Sequence, residues 1–515
     1  MRRWAFRVVV VSVGLVLAGA SGLAQRSAAP QPAAEPAGRG AQPPLRRHLN
    51  TAESSYIRMP LPPGEQAYAP IDGGRMKQFV EDITAISRKS RDEGIKYWGR
   101  IAGTKADLET EDYIARRFRE FGLQDVRMQP FDLPPQWFAL DWSVSASGSG
   151  QTLAFKTAFP SGRSPATPPA GSDFDIVWVG NGGELDFAGR DVRGKAVFVQ
   201  SFPTPSAFSH TATAAGAMQR AVERGAAAVL INIAIPGSVT NETGGAAGLP
   251  TFAVGSQEAS QLKALMAKGP VNIHLTLKTE MRTGLKDNNV WGTVPGGSAG
   301  TASGPGGDEA VIVFAHHDGF FESAFDNASG NATMLGLAEY FAKIPQARRT
   351  RAIRFVSTAA HHAGSPGTRW MYDTRDTDMK NAVLYINCEH TSITQAYLQG
   401  SDLRRSDNIN ARRWFVHGSD RLATIALNAY KTFGVTVFEG MEPSASGDMG
   451  QIQRERPALQ LITSPIYYHS DHDRAVDVPA AGLEAVGRAY AKIIDGANKL
   501  KRADLDDAAT GTSQP

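Results

Sequence analysis

Between residues 310 and 494 the chain alternates short apolar runs with amphipathic stretches of helical length, and this alternation limits its possible folds more than any other feature. Val311-Ile312-Val313-Phe314 and Ile353-Arg354-Phe355-Val356 are apolar at almost every consecutive position, the pattern of strands covered on both faces. The spacing predicts strands over 310–315, 352–357, 382–388 and 458–461, and helices over 332–341, 367–373, 421–432 and 480–494. Strands alternating with helices specify an α/β fold with a mostly parallel, doubly covered sheet. Ligands of such sheets sit beyond the carboxyl ends of the strands.

Upstream, 76–86 and 112–121 read as helices and 125–131 as a strand. Ile114, Phe118 and Phe121 share one helical face, and Gly122 can stop that helix. From about residue 139 the texture changes to short strands (175–179, 195–200, 228–231, 251–254) around one Ala-rich helix, 214–224, closed by Gly225. The passages Val192-Arg193-Gly194-Lys195-Ala196-Val197-Phe198-Val199, Gly225-Ala226-Ala227-Ala228-Val229-Leu230-Ile231 and Leu249-Pro250-Thr251-Phe252 resemble a protease-associated (PA) domain. That resemblance implies a β-rich module over 139–281 that covers or shapes a substrate cleft. It would interrupt a larger domain made of 71–138 and 282–500. A Gly/Ser/Ala/Pro loop over 296–307 separates the regions.

At 515 residues the chain exceeds the usual size of a single core, which agrees with two domains. A formal net charge of +3 gives no reason to expect a nucleic-acid partner. Arg2, Arg3 and Arg7 precede an apolar run, Val8 to Ala18, and small residues. This reads as an export signal over 1–24, and the run is short for a membrane span of about 20 residues. The expectation is an exported protein, periplasmic or extracellular, with no integral span after cleavage; an uncleaved anchor is the alternative. Residues 25–70 read as a flexible linker and 501–515 as a disordered tail. Cys388 is the single cysteine, so no intrachain disulfide can form, and its apolar strand predicts a buried, inert side chain.

Seven of the 11 histidines fall into four segments, each just beyond a predicted strand: His316-His317-Asp318, His361-His362, Glu389-His390 and His469-Ser470-Asp471-His472-Asp473. A fifth polar insertion, Asp326-Asn327, precedes a helix. Imidazoles and carboxylates converging at strand ends point to metal. Two borderline cations about 3.5–4 Å apart need a carboxylate that bridges them and further N or O donors for each. With Ala315-His316-His317-Asp318, Asp326-Asn327-Ala328-Ser329-Gly330, His361-His362-Ala363-Gly364, Asn387-Cys388-Glu389 and Tyr468-His469 with Asp473, the chain resembles the M28 (aminopeptidase-type, two-zinc) peptidases in order and spacing across some 200 residues. The resemblance implies zinc, as two ions, with one ion or another divalent metal left open. It puts Asp326 in the bridging role, His316 and Glu389 on one ion, and His362 and His469 on the other. Asp318 would hold the imidazole of His316, Tyr468 would donate to a developing oxyanion, and His361 would occupy the general-base position. His317, His390 and His472 take no role in that pattern and read as structural or exposed.

The departure from the family lies at His361-His362, where relatives carry paired glutamates. The ligand set then supplies two carboxylates, Asp326 and Glu389, where relatives supply three, so two dications would leave about one extra positive charge on the cluster. That charge would depress His361 as a base. Three readings stay open on these residues. The first is an exported exopeptidase that hydrolyses peptide bonds of a peptide or protein with a metal-activated water. The second is a non-catalytic metal- or peptide-binding homologue that has lost its base, and the third is another amide-directed chemistry, such as cyclisation of N-terminal glutamine. Neither oligomeric state nor the choice between amino- and carboxypeptidase is legible.

Overall fold

The continuous apolar runs become the middle of an eight-stranded mixed sheet. Its strands are β1 (Gln124–Asp132), β2 (Lys286–Val294), β3 (Ala310–His316), β4 (Ala352–Thr358), β5 (Ala382–Cys388), β6 (Arg412–His417), β7 (Val437–Met441) and β8 (Ala458–Ile462), in the order β7-β6-β8-β5-β3-β4-β2-β1. The central four, β8-β5-β3-β4, run parallel, and β6 and β2 flank them antiparallel. The structure, a computed structural model, describes residues 53–204, 210–297, 309–399, 402–452 and 456–506. The expected export signal, the linker up to residue 52, residues 298–307 of the glycine loop and the tail from 507 lie outside the described residues.

Alternate residues of β3 explain its unbroken apolar run. Val311, Val313 and Ala315 enter one core with helices α1 (Gly73–Asp92), α2 (Lys105–Glu120), α3 (Ser329–Lys343), α5 (Asp420–Phe433) and α6 (Ala480–Ala497), which contribute Phe79, Phe118, Leu335, Tyr430 and Leu483. Ala310, Ile312 and Phe314 enter a second core on the opposite face, with Met371 of α4 (Pro366–Asp373) and Met449. The larger core is the main source of stability, since burying each large apolar side chain contributes roughly 1.5–3 kcal/mol. Local signals set the helix ends. The Asp72 carboxylate accepts from Arg75 N at the start of α1, and Gly434 adopts φ 68° just past α5.

Strands β1 and β2 pair directly, with Lys286 opposite Asp132. The chain therefore leaves the sheet and returns at adjacent points, which is the geometry an inserted segment needs. Within that segment a second eight-stranded sheet forms, in the order Gln151–Ala154, Gln136–Gly148, Asn272–Arg282, Ser172–Trp178, Ala196–Ser201, Ala228–Ile233, Thr251–Ala253, Phe159–Pro160. It has cores of its own, one around Trp142, Phe159, Leu230 and Leu275 and another around Val197, Val199 and Ile231.

Residues 53–70, expected as linker, pack against the larger core instead. Tyr56 Oη lies 2.5 Å from Thr394 Oγ1, and Tyr68 donates to Asp495 and meets Phe433 edge-on. An average composition rich in proline and alanine hid two tyrosines that each bury a large ring. The start of the expected tail is likewise docked: Arg502–Leu505 is a helical turn, Leu505 is buried, and its carbonyl accepts from Ser419 N. Among the described residues no helix is long and apolar enough to cross a membrane.

Gly330 opens the helix that follows the Asp326-Asn327 turn, and an added Cβ there would run into the Cys388 carbonyl and the Asn327 side chain. Both neighbours are held at the end of β5, so they have little room to yield. Gly330→Ala should therefore destabilise the protein by about 1–3 kcal/mol, read as a lower urea midpoint with an unchanged slope.

Candidate metal centre

Four loops at the carboxyl ends of β3, β4, β5 and β8 bring most of the predicted residues together. Asp326 lies at their focus, in the turn Ala324–Ala328 that leads into α3. The Asp473 carboxylate fixes this turn by accepting from Phe325 N at 2.7 Å and Asp326 N at 3.3 Å. Asn327 adds a second clamp, donating to the Cys388 carbonyl and accepting from Gly330 N. The Asp326–Asn327 peptide is cis.

The two carboxylate oxygens of Asp326 face different histidines. Oδ1 lies 3.2 Å from His316 Nε2 and 3.1 Å from His390 Nε2, whereas Oδ2 lies 3.1 Å from His469 Nε2. His362 closes the group, its ring centroid 5.4 Å from that of His316 and 5.0 Å from that of His469. His390, which has no role in the sequence pattern, is buried here. Its Nδ1 contacts the Thr463 carbonyl, an acceptor, so Nδ1 carries the proton and Nε2 turns its lone pair toward Asp326.

This donor set fits a metal. His316 Nε2, His362 Nε2, His469 Nε2 and Asp326 Oδ2 are all buried, and none has a protein hydrogen-bond partner of acceptable geometry. Buried polar atoms are almost always satisfied, and several converging unsatisfied donor atoms suit a cation. His316, Asp326 and His362 each offer an atom within 4.8 Å of the others, as do His316, His361 and Glu389. The imidazoles differ in charge preference: burial opposes charge on His316, but Asp318 and Asp326 outweigh it and hold the ring well above its ordinary value. Burial pushes His362 down to about 3, favouring its neutral, ligating form. For His469 burial also disfavours charge, but the neighbouring Asp326 and Glu242 carboxylates outweigh it and raise the group to about 9. A field that holds a proton there will also hold a metal cation.

The remaining predicted residues surround this set. Glu389 Oε2 accepts from Asn387 Nδ2 at 2.5 Å and Gln460 Nε2 at 2.9 Å, which fix its orientation. Asp318 does more than hold His316. Its carbonyl accepts from His316 Nδ1 at 3.2 Å, while its carboxylate accepts from the backbone N–H groups of His361 and His362 at 2.9 and 2.8 Å. It thereby ties the β3 loop to the β4 loop. Tyr468 stacks on the His469 ring at 3.8 Å. Burial, then the charges of Asp326 and Glu389, hold its phenol well above the usual range, so it remains an O–H donor.

Sequence reasoning missed two carboxylates. Asp448 Oδ1 lies 2.6 Å from His361 Nδ1, and its Oδ2 accepts from Thr358 Oγ1 at 2.8 Å. Burial opposes charge on this pair, but their mutual attraction wins, with Asp448 held well below and His361 above their ordinary values. Glu242, from the inserted segment, accepts from His469 Nδ1 at 3.1 Å. It is anchored by its own N–H, which donates to the His469 carbonyl, and by a reciprocal pair of bonds between Thr240 and Asp471. Asp448 and Glu242 thus add two carboxylates beside the two expected in the donor set, which would offset the expected excess of positive charge. Asp448 lies in a Ser/Gly-containing loop, 444–450, and Glu242 in the inserted segment, and neither had a local signal.

In front of these residues opens a cleft of about 670 Å³. Asp318, His362 and Glu242 form its polar floor, and Tyr97, Pro134, Pro135, Trp137 and Phe320 form apolar walls.

Residues 289–494 match Peptidase family M28. Aminopeptidase YwaD of Bacillus subtilis (strain 168) is 26% identical over 296 residues, which is 56% of this chain and 58% of that protein; the match thus spans little more than half of that relative. Among solved structures, BSAP, a zinc aminopeptidase from Bacillus subtilis, superimposes with a TM-score of 0.60 at 18% identity, covering 87% of this chain and 99% of its own. The Peptidase M28 precursor from Shewanella amazonensis SB2B gives a TM-score of 0.65 at 19% identity, covering 88% and 98%. Both share the fold.

Hydrogen bonds to metal-binding imidazoles typically contribute 10–100-fold to metal affinity. Glu242→Gln should weaken zinc binding within that range without unfolding the protein, as read by competition with a fluorescent chelator.

Proposed function

We propose that this chain, which carries a peptidase family M28 domain over residues 289–494, is an exported zinc-dependent exopeptidase of aminopeptidase type. The observation that carries the reading is the His361–Asp448 pair set beside the metal donors, with the His361 ring stacked 4.2 Å from that of His316. It answers the main objection to catalysis, the loss of the glutamate base. We assign the two-ion ligand set to Asp326 as the bridge, His316 and Glu389 on one side, and His362 and His469 on the other.

When bound, zinc ions would polarise the scissile carbonyl and make water more acidic. The protein's own groups manage the proton. Nδ1 of His361 donates to Asp448, so Nε2 carries the lone pair that accepts a proton from the attacking water. Asp448 remains ionised and stabilises the imidazolium that results. The same Nε2–H then protonates the leaving amine, which returns His361 to its starting state. Tyr468, held as a phenol, supplies a donor for the developing oxyanion.

The inserted segment completes the site. Its reading as a PA domain over 139–281 is supported by the separate sheet and by the pairing of β1 with β2 around it. Through Glu242 it reaches the metal ligands, and through Arg163 and Met281 it lines the cleft. The aromatic and proline walls favour a peptide whose residue beside the scissile bond is apolar. The Glu242 carboxylate in the cleft lining suits a free amino terminus, which agrees with an aminopeptidase. Export rests on the N-terminal signal reading.

Purified without chelators, the protein should release single N-terminal residues from a peptide library, detected by mass spectrometry. Asp448→Asn should lower kcat by about 10²–10⁴-fold, leaving KM within a few-fold and the zinc content of the Asp326 site unchanged. An unaltered kcat in that variant would remove the His361–Asp448 pair from the mechanism. Peptide binding without any turnover in the wild type would favour the non-catalytic reading.

A further inference from the structure

Behind the metal loops lies a second cluster that the proposed reaction does not use. Asp107 and Glu111 stand one turn apart on α2, Asp287 lies on β2, and His317 follows β3; all four are buried. His317 Nε2 lies 3.3 Å from Asp287 Oδ1, 3.6 Å from Asp107 Oδ1 and 3.8 Å from Glu111 Oε1. One ring nitrogen thus faces three carboxylates.

A chain of hydrogen bonds determines the tautomer. Asn331 Nδ2 donates to the His316 and Asn327 carbonyls, so its Oδ1 is an acceptor and Ser357 Oγ donates to it at 2.8 Å. With its proton so used, Ser357 Oγ must accept from His317 Nδ1 at 3.0 Å. In neutral His317, Nε2 therefore points a lone pair at three acids.

Charge is poorly balanced there. Glu111 is satisfied by Asn288 N and Nδ2, and Asp107 Oδ2 by Gly103 N. Asp107 Oδ1 and Asp287 Oδ2 are buried with no hydrogen-bond partner. Among the described residues, no lysine or arginine forms an ion pair with any of the three carboxylates. Arg100 runs nearby but spends its donors on the His317, Glu322 and Ser323 carbonyls and on Ser87 Oγ. An imidazolium would supply one positive charge against three negative ones, and its single Nε2–H could not serve three acceptors.

We propose that Asp107, Glu111, Asp287 and His317 bind a divalent cation of zinc's class, separate from the Asp326 centre. Geometry and donor type both support the assignment. Zinc bonds of about 2.0–2.2 Å place tetrahedral ligand atoms roughly 3.3–3.6 Å apart, close to the three Nε2–oxygen separations. The four donor atoms all lie within 4.8 Å of one another. Anchoring Nδ1 to Ser357 is the outer hydrogen bond that orients a metal-binding imidazole. Such an ion would pin α2 to the sheet directly behind His316 and would have a structural role.

Anomalous diffraction from crystals of the full chain, recorded on both sides of the zinc edge, tests this on the wild-type protein. A peak within the four-residue cluster is the expected result. No peak there, whether or not the Asp326 centre holds ions, overturns the proposal and shows that protons shared among the acids balance the charge. A peak there with none at Asp326 would uphold this site while overturning the hydrolase reading. Elemental analysis gives an independent readout: Asp287→Asn should lose about one zinc per chain and keep those bound at Asp326. An undiminished count in that variant would also overturn the assignment.

Discussion

The Asp326 carboxylate, shared between histidines on its two sides, is the contact on which the functional end of the molecule depends. It works only if the turn carrying it is held, because a free carboxylate would rotate toward solvent or toward a single histidine. Asp473 and Asn327 provide that hold from 147 residues downstream and from the adjoining residue, and Gly330 lets the helix start against the end of β5. The parallel strands then deliver His316, His362, Glu389 and His390 to the same edge, since successive parallel strands all end on one side of a sheet.

Replacing a pair of glutamates by His361-His362 changes the site's charge, and the structure compensates through space. Asp448 places a negative charge beside His361 and favours the proton on its Nδ1. Glu242 does the same for His469. Each carboxylate sits one hydrogen bond outside the ligand set, where it tunes an imidazole without occupying a coordination position. The two carboxylates thereby restore negative charge around the candidate metal donors.

That Glu242 belongs to the inserted segment ties the two sheets into one functional unit. The strand-like contact between 240–242 and 469–471 positions the last histidine, and the same segment walls the cleft. An insertion that only covered the cleft would have no reason to reach a metal-binding residue. Here its loop forms part of the support for His469, so the larger domain alone would hold that side of the site less firmly.

Much of this was legible from the order of residues. Unbroken apolar runs can only be strands buried on both faces, so Val311 to Phe314 specified a covered parallel sheet. Histidines clustered after such runs had to meet at one edge, and it was the resemblance to the M28 peptidases that singled out His316, Asp326, His362, Glu389 and His469 there. Asp448, Glu242 and the trio Asp107, Glu111 and Asp287 were not legible, and neither was the inward turn of His390. Aspartate and glutamate are ordinary surface residues, and nothing nearby in the chain marks the few that become buried. Their role comes from partners tens to hundreds of residues away, and only the folded chain brings them within hydrogen-bond reach in a place where water cannot screen them. Periodicity along the chain determined the scaffold and the edge at which the histidines gather; burial and long-range proximity decided which charges act on them.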